Sequence, residues 1–264
     1  MSGLPGPIGD GYYAKKQILC RDRLIAWSHR RRFAAGLALA RRLRPRHVLD
    51  YGCGDGTFLA LLAAGEARPA TAVGAELDPA VIDDCRRRLG GRGLRFVAIG
   101  DLDAPEHRAA YDLVVCMEVL EHVVDVPPLL RTLDDLLTRS GHLLLSVPVE
   151  TGAALVVKQA VRRVAGWRGI GDYPGTSPYT WRESLRAVFA GDTPHIARPV
   201  YADEGGGRFH DHKGFNWRVL RRTIAERFEV EATVTSPFTA LPPSLATQVW
   251  LLARPRPAGA RERA

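Results

Sequence analysis

The chain has 264 residues, 46% of them hydrophobic and 25% charged, proportions typical of a globular protein able to bury a sizeable core. They exclude a largely disordered chain and confine loose structure to the ends, where MSGLPGPIGDG and ARPRPAGARERA are rich in Gly, Pro and Arg. The net charge of +8 admits nucleic acid, anionic membrane surfaces or acidic substrates as partners, and no stretch approaches the roughly 20 apolar residues of a spanning helix.

Residues 1–46 read as an N-terminal helical annex. Apolar Ile18, Leu19, Leu24, Ile25 and Trp27, then Phe33, Leu37 and Ala40, recur near helical spacing over 15–43, and Pro45 closes the region. The basic residues from Lys15 to Arg46 are opposed only by Asp22 and read as a solvated helical face. A regular alternation follows. HVLDYG is a strand, GTFLALLAAGEA a helix, TAVGAEL a strand, and PAVIDDCRRRLGG a helix opened by Pro79 and stopped by Gly90 and Gly91. LRFVAIGD, YDLVVCM and GHLLLSVPV are three more strands, with a helix over 127–139 between the last two. Short apolar strands separated by helices predict an α/β domain over 47–264, with a parallel sheet covered on both faces. After Glu150 the rhythm breaks. Residues 151–168 look helical and 169–212 irregular, so about 151–215 reads as a lid-like insertion. A helix over 216–227 and the strands FEVEATVTS and TQVWLLAR, joined by SPFTALPPSLA, close the domain.

The sharpest motif is Asp50-Tyr51-Gly52-Cys53-Gly54-Asp55-Gly56, where the first strand meets the first helix. Glycine removes the Cβ that would block a ligand laid across such a turn, and the helix behind it offers free N–H groups. The order D-x-G-x-G-x-G departs from the dinucleotide fingerprint G-x-G-x-x-G, and no Gly-Lys-Ser/Thr follows to make a phosphate loop. A carboxylate at its head repels a pyrophosphate and suits a cationic ligand. Glu76 ends the second strand, where a carboxylate can hold ribose hydroxyls, and Asp101 ends the third, so three consecutive strands deliver carboxylates to one sheet edge.

VLDYGCGDG, GAELDP, the IGDL segment, YDLVVCMEVLEHV and SGHLLLSVP resemble, in order and spacing, the motifs of class I S-adenosylmethionine-dependent methyltransferases. The resemblance is strong over 47–150 and weaker over 209–253. It implies a Rossmann-like, seven-stranded, mostly parallel sheet with its last strand antiparallel. It also implies S-adenosylmethionine as cofactor and S-adenosylhomocysteine as its product. Asp50, Gly52 and Gly54 would line the methionine portion, Glu76 the ribose, Leu77, Asp101 and Leu102 the adenine, and Met117 the methionine end. The implied activity is methyl transfer to a small organic acceptor, at a hydroxyl of a sugar, a phenolic or quinone-like compound, or a lipid-linked metabolite. An RNA or protein methyltransferase using the basic N-terminal region, and a binding or scaffold protein that has lost catalysis, stay open as alternatives; nucleic acid is disfavoured because no RNA-binding module is recognisable.

An oxygen acceptor often needs a general base. His122 and His212 are the candidates singled out, beside His195, His210 and the carboxylates Glu118, Glu121 and Glu150. On a helix, Glu118, Glu121 and His122 would share a face. His210-Asp211-His212, with His195 or Asp192 as a further ligand, is too sparse for metal spacing, so no metal is expected. Residues 153–168 form an amphipathic pattern with Lys158, Arg162 and Arg163 on a basic rim, similar in position to the membrane-touching helix of quinone-type O-methyltransferases, and peripheral membrane contact is one expectation for it. Cys20, Cys53, Cys85 and Cys116 are scattered and read as reduced thiols of a cytoplasmic protein. The sequence leaves the oligomeric state open.

Overall fold

The structure, a computed structural model, describes residues 6–66, 68–91, 93–156, 158–159, 177–194, 196–203 and 205–257. The apolar runs of the first half become five parallel strands, β1 (His47–Tyr51), β2 (Thr71–Glu76), β3 (Leu94–Ala98), β4 (Tyr111–Met117) and β5 (Leu137–Pro148). A small antiparallel ribbon of β6 (Val200–Ala202) and β7 (Arg208–His210) follows. The sheet is then completed by β8 (Phe228–Ser236) and β9 (Gln248–Pro255) in the order β3-β2-β1-β4-β5-β9-β8. β9 runs antiparallel to both its neighbours, which gives the expected seven-stranded sheet with its last strand reversed.

Helices cover both faces. On one lie α1 (Gly6–Gly9), α2 (Tyr12–Lys16), α3 (Arg23–Leu43), α4 (Thr57–Ala63) and α5 (Pro79–Leu89), where Phe33, Phe58, Leu59, Leu62 and Leu89 pack with Trp250 of β9. On the other, α6 (Val126–Leu136) and α8 (Trp217–Arg227) bring Leu130, Leu133, Trp217, Leu220 and Ile224 against Leu143, Leu145 and Leu251. Between them in sequence lies α7 (Trp181–Val188). Local sequence sets the helix starts. Asp22 accepts from the N–H groups of Leu24 and Ile25 at the head of α3, Asp78 caps α5 ahead of Pro79, and Asn216 caps α8.

Two boundaries differ from the sequence reading. The helix expected over 127–139 stops at Leu136, because Leu137 pairs with Tyr111 in the sheet and is buried in the core. Burial in the sheet here overrides a helical pattern. Residues 153–156 and 158–159 are helical, and the rest of the amphipathic stretch lies outside the described residues. Lys158, expected on its basic rim, instead turns inward to donate to the Val149 carbonyl and to Glu150. Among the described residues no helix is long and apolar enough to cross a membrane.

Candidate active site

The carboxyl ends of β1, β2 and β4 open into a cavity of about 740 Å³, within the range of small-molecule sites. Its floor is the glycine loop. Gly52, Gly54 and Gly56 have φ of +72°, +52° and +72°, the left-handed region that glycine enters without steric cost. A Cβ on Gly52 would stand 2.5 Å from the Val119 side chain. The loop is lashed to β2 through Gly52 and Cys53, whose N–H groups both donate to the Ala75 carbonyl. Glu76 adds a clamp: one carboxylate oxygen accepts from Gly54 N–H and the other from Leu77 N–H, each at 2.8 Å. Asp50 is 1% exposed, and its Oδ1 has no hydrogen-bond partner among the described residues. Burial, reinforced by Glu76 and Asp55, pushes its carboxyl up to about 8, so in the ligand-free protein it is largely protonated at neutral pH.

The N-terminal helices supply one wall. Asp55, 4% exposed, accepts from the N–H groups of Ala14 and Thr57 and so ties α2 to the loop. This places the Tyr13 ring over Gly54, and Gln17, Arg32 and Phe33 also line the cavity. Arg32 donates to Gln17 Oε1 at 2.6 Å and pairs with Glu118 at 3.5 Å. The expectation of a solvated basic face fails at Arg32 and holds for Arg30, Arg31 and Arg41, which stay exposed. Arg32 is only 8% exposed, and Arg30, Arg31 and Arg41 donate to the carbonyls of Ile18, Pro237 and Leu61.

The segment after β4 supplies the opposite wall. Met117 and Val119 line it. Glu118 holds a left-handed φ of +54°, an uncommon conformation for a residue with a side chain, and its carboxylate accepts from Ser146 and Gln248 while facing Arg32. The helix on which Glu118, Glu121 and His122 would share a face is absent: residues 118–125 form a turn, closed by His122 N–H on the Val119 carbonyl. His122 lines the cavity and donates through Nδ1 to the His210 carbonyl at 2.8 Å, since a carbonyl can only accept. Burial lowers its pKa and keeps the ring neutral. His212 stands beside it, with ring centroids 5.0 Å apart, and places Nδ1 3.6 Å from Glu150. Glu121 is fully buried, neither carboxylate oxygen has a hydrogen-bond partner among the described residues, and burial with the nearby Glu118 raises its pKa well above the usual range.

Of the residues singled out from sequence, Asp50, Gly52, Gly54, Glu76, Leu77, Met117 and His122 line this cavity. Asp101, Leu102 and His212 are not among its lining. Asp101 accepts from the Ala98 N–H in a tight turn, Leu102 is buried in the core with Leu49 and Leu130, and Ile99 reaches the cavity instead. His210 is turned away, with Nδ1 donating to the Pro199 carbonyl, and Asp211 accepts from the N–H groups of Ser177 and Lys213. His195 lies outside the described residues. Sequence reasoning missed Tyr13, Gln17, Arg32, Ile99 and Phe209. Ile99 opens the IGDL segment and was within reach of that motif, whereas the positions of the others depend on contacts between distant segments, for which no local motif stands.

A glycine loop leading a helix, carboxylates at successive strand ends, and a seven-stranded sheet with one reversed strand define the Rossmann-like fold of class I methyltransferases. Residues 25–191 match the family described as a methyltransferase domain, and the chain belongs to that family. Over 123 residues it is 37% identical to the ubiquinone biosynthesis O-methyltransferase of Xanthomonas axonopodis pv. citri (strain 306), covering 44% of this chain and 49% of that protein. The chain thus spans about half the length of this curated relative. The PH0226 protein of Pyrococcus horikoshii OT3 superposes with a TM-score of 0.56 at 13% identity, over 96% of this chain and all of that one. The N-methyltransferase NodS of Bradyrhizobium japonicum WM9, solved with S-adenosylhomocysteine, gives 0.50 at 14%, over 96% and 92%. At such identities the likeness is one of fold.

Proposed function

We propose that the chain is an S-adenosylmethionine-dependent methyltransferase that methylates a hydroxyl of a small organic acceptor. The observation that carries this reading is the pairing of Asp50 and Glu76 about the glycine loop in one cavity. The site fits the cofactor on its own chemistry. Asp50 has an unpartnered buried oxygen for the cationic amino group. Glu76 has used one lone pair on each oxygen for the loop and retains others for the ribose hydroxyls. Gly52 and Gly54 leave the backbone open to close approach. Leu77, 75% exposed at the rim, would cover the base, and Met117 would meet the methionine end. The bound cofactor supplies an activated methyl group on a sulfonium; the protein's part is alignment of the acceptor. His122 contributes a neutral imidazole with Nε2 as its available lone pair, the form that accepts a proton or binds a cation.

Described parts of the N-terminal annex and of the insertion serve in this reading as two covers over the sheet edge. Tyr13, Gln17 and Arg32 come from the first, and Asp203, Arg208 and Phe209 from the second. The O-methyltransferase activity named for the Xanthomonas relative supports an oxygen acceptor.

The test is calorimetric titration with S-adenosylhomocysteine, expected to bind one molecule per chain. Glu76→Ala should weaken that binding by at least tenfold, losing hydrogen bonds to the ribose worth about 1.5–3 kcal/mol each when charge-assisted, along with the clamp on Gly54. A folded protein that does not bind, or a Glu76→Ala variant with unchanged affinity, overturns the reading.

A further inference from the structure

We propose that Glu121, His122 and His212 form a binding site for a divalent transition-metal cation whose open coordination positions take the acceptor's hydroxyl oxygen. The proposal rests on the methyltransferase reading above and specifies how its acceptor is held. Each of the three side chains offers one ligand atom, and these atoms lie within 4.8 Å of one another. A tetrahedral ion bonding at roughly 2.0–2.2 Å spaces its ligands about 3.3–3.6 Å apart, so modest side-chain rotation closes the set.

Glu121 is the independent sign of a missing partner. Its carboxylate is fully buried and neither oxygen finds a hydrogen bond among the described residues, an arrangement that protein interiors avoid unless a cation or proton compensates it. The neighbouring cations direct their terminal nitrogens elsewhere, though each keeps a buried Nε without a partner among the described residues. Arg198 donates to the backbone carbonyls of Glu121 and Asp211, and Arg32 reaches Gln17 and Glu118. Both guanidinium groups act on the carboxylate through their charge and do not hydrogen-bond it.

One imidazole is already held as a metal ligand is, and the other has a carboxylate close by. His122 gives its Nδ1–H to the His210 carbonyl, which leaves Nε2 for the ion. His212 has Glu150 3.6 Å from its Nδ1, just beyond the carboxylate–imidazole hydrogen bond that commonly orients a ligating histidine. The sequence pattern His210-Asp211-His212 is therefore split. His212 joins Glu121 and His122, while His210 serves from behind through its carbonyl.

Two imidazole nitrogens and one carboxylate oxygen favour zinc, iron or manganese over magnesium or calcium. Three protein ligands leave positions open, as in hydrolytic zinc sites. His122 lines the cofactor cavity, so those positions adjoin the place where the acceptor must sit. A hydroxyl bound there is favoured in its deprotonated form, its proton passing to solvent water.

The test uses full-length protein stripped with a chelator, titrated calorimetrically with Zn²⁺ and followed in parallel by the visible absorption of Co²⁺. One ion per chain is expected. Glu121→Gln and His212→Ala should each weaken Zn²⁺ binding by more than roughly 100-fold, beyond what an outer-shell partner contributes. His47→Ala, at the opposite end of β1, should leave it unchanged. S-adenosylhomocysteine binding is measured on the same samples. Its retention in both variants shows that they are folded and separates failure of the metal site from failure of the cofactor reading. Absence of Zn²⁺ binding by protein that binds S-adenosylhomocysteine overturns the proposal, as does equal Zn²⁺ affinity in His212→Ala.

Discussion

Asp50 is a carboxyl placed where water cannot reach it, beside two further carboxylates, with one oxygen left bare. A cationic group arriving at that oxygen reverses the balance: it stabilises the ionised form and expels the proton. Cofactor binding should therefore release close to one proton per chain at pH 7, and affinity should rise with pH up to about 8 before levelling. Calorimetry in buffers of different ionisation enthalpy reads the proton directly, and Asp50→Asn should abolish both the release and most of the affinity. Buffer-independent binding enthalpy would show that Asp50 is not the group that meets the cation. Glu76, one strand away, differs in kind because two backbone N–H groups already engage it.

Element by element, the sheet was legible because each strand is a local pattern. Apolar runs bounded by glycine and proline identify β1 to β5, β8 and β9 within a few residues, and the glycine loop announces the β1–α4 junction. What sequence could not convey is how α3 enters the site. Arg32 sits in a run of three arginines that reads as solvated, yet it is buried between Gln17 and Glu118. The reason lies four residues on. Gly36 lets α3 approach the sheet so closely that a Cβ there would come within 2.3 Å of the Trp250 ring, itself wholly buried. A lone helix gains about 1 kcal/mol from Gly to Ala. Here the forced repacking, about 1–3 kcal/mol, should win, and Gly36→Ala is expected to lower the thermal midpoint. A rise would mean that α3 can pivot away from Trp250 without loss.

For the whole molecule, four groups held neutral by their surroundings shape stability against pH, the half-buried His29 and His122 and the fully buried Asp50 and Glu121. His29 is held down to about 3 by burial and the adjacent Arg32, and Asp50 is held up to about 8, against ordinary values of 6.5 and 3.8. Between about pH 4 and 6.5 the unfolded chain gains a proton on His29 and loses one on Asp50, so the two linkages offset. From 6.5 to 8 only the carboxyls act, Asp50 and, in the same direction, Glu121. The folded state keeps protons that the unfolded chain has released, and ligand-free stability should fall, with Asp50 contributing up to about 1.4 kcal/mol per pH unit. Urea midpoints across that interval check the slope, and Asp50→Asn should make it shallower, leaving the part that Glu121 carries. The site was less legible than the fold for a reason of distance. Asp50, Gly52, Gly54 and Glu76 are read from strand ends, whereas Tyr13 over Gly54 and the meeting of His212 with His122 depend on segments far apart in sequence. β9 carries that dependence furthest. It is the final strand in sequence, yet it lies between β5 and β8, and its first residue, Gln248, donates to Glu118 beside the cavity. As the chain leaves the ribosome, β1 to β5 can assemble early, but β8 has no sheet to join until β9 arrives. Until then Glu118 lacks its amide donor and the edge of β5 is exposed, so the sheet and the cavity wall are completed by the same late event.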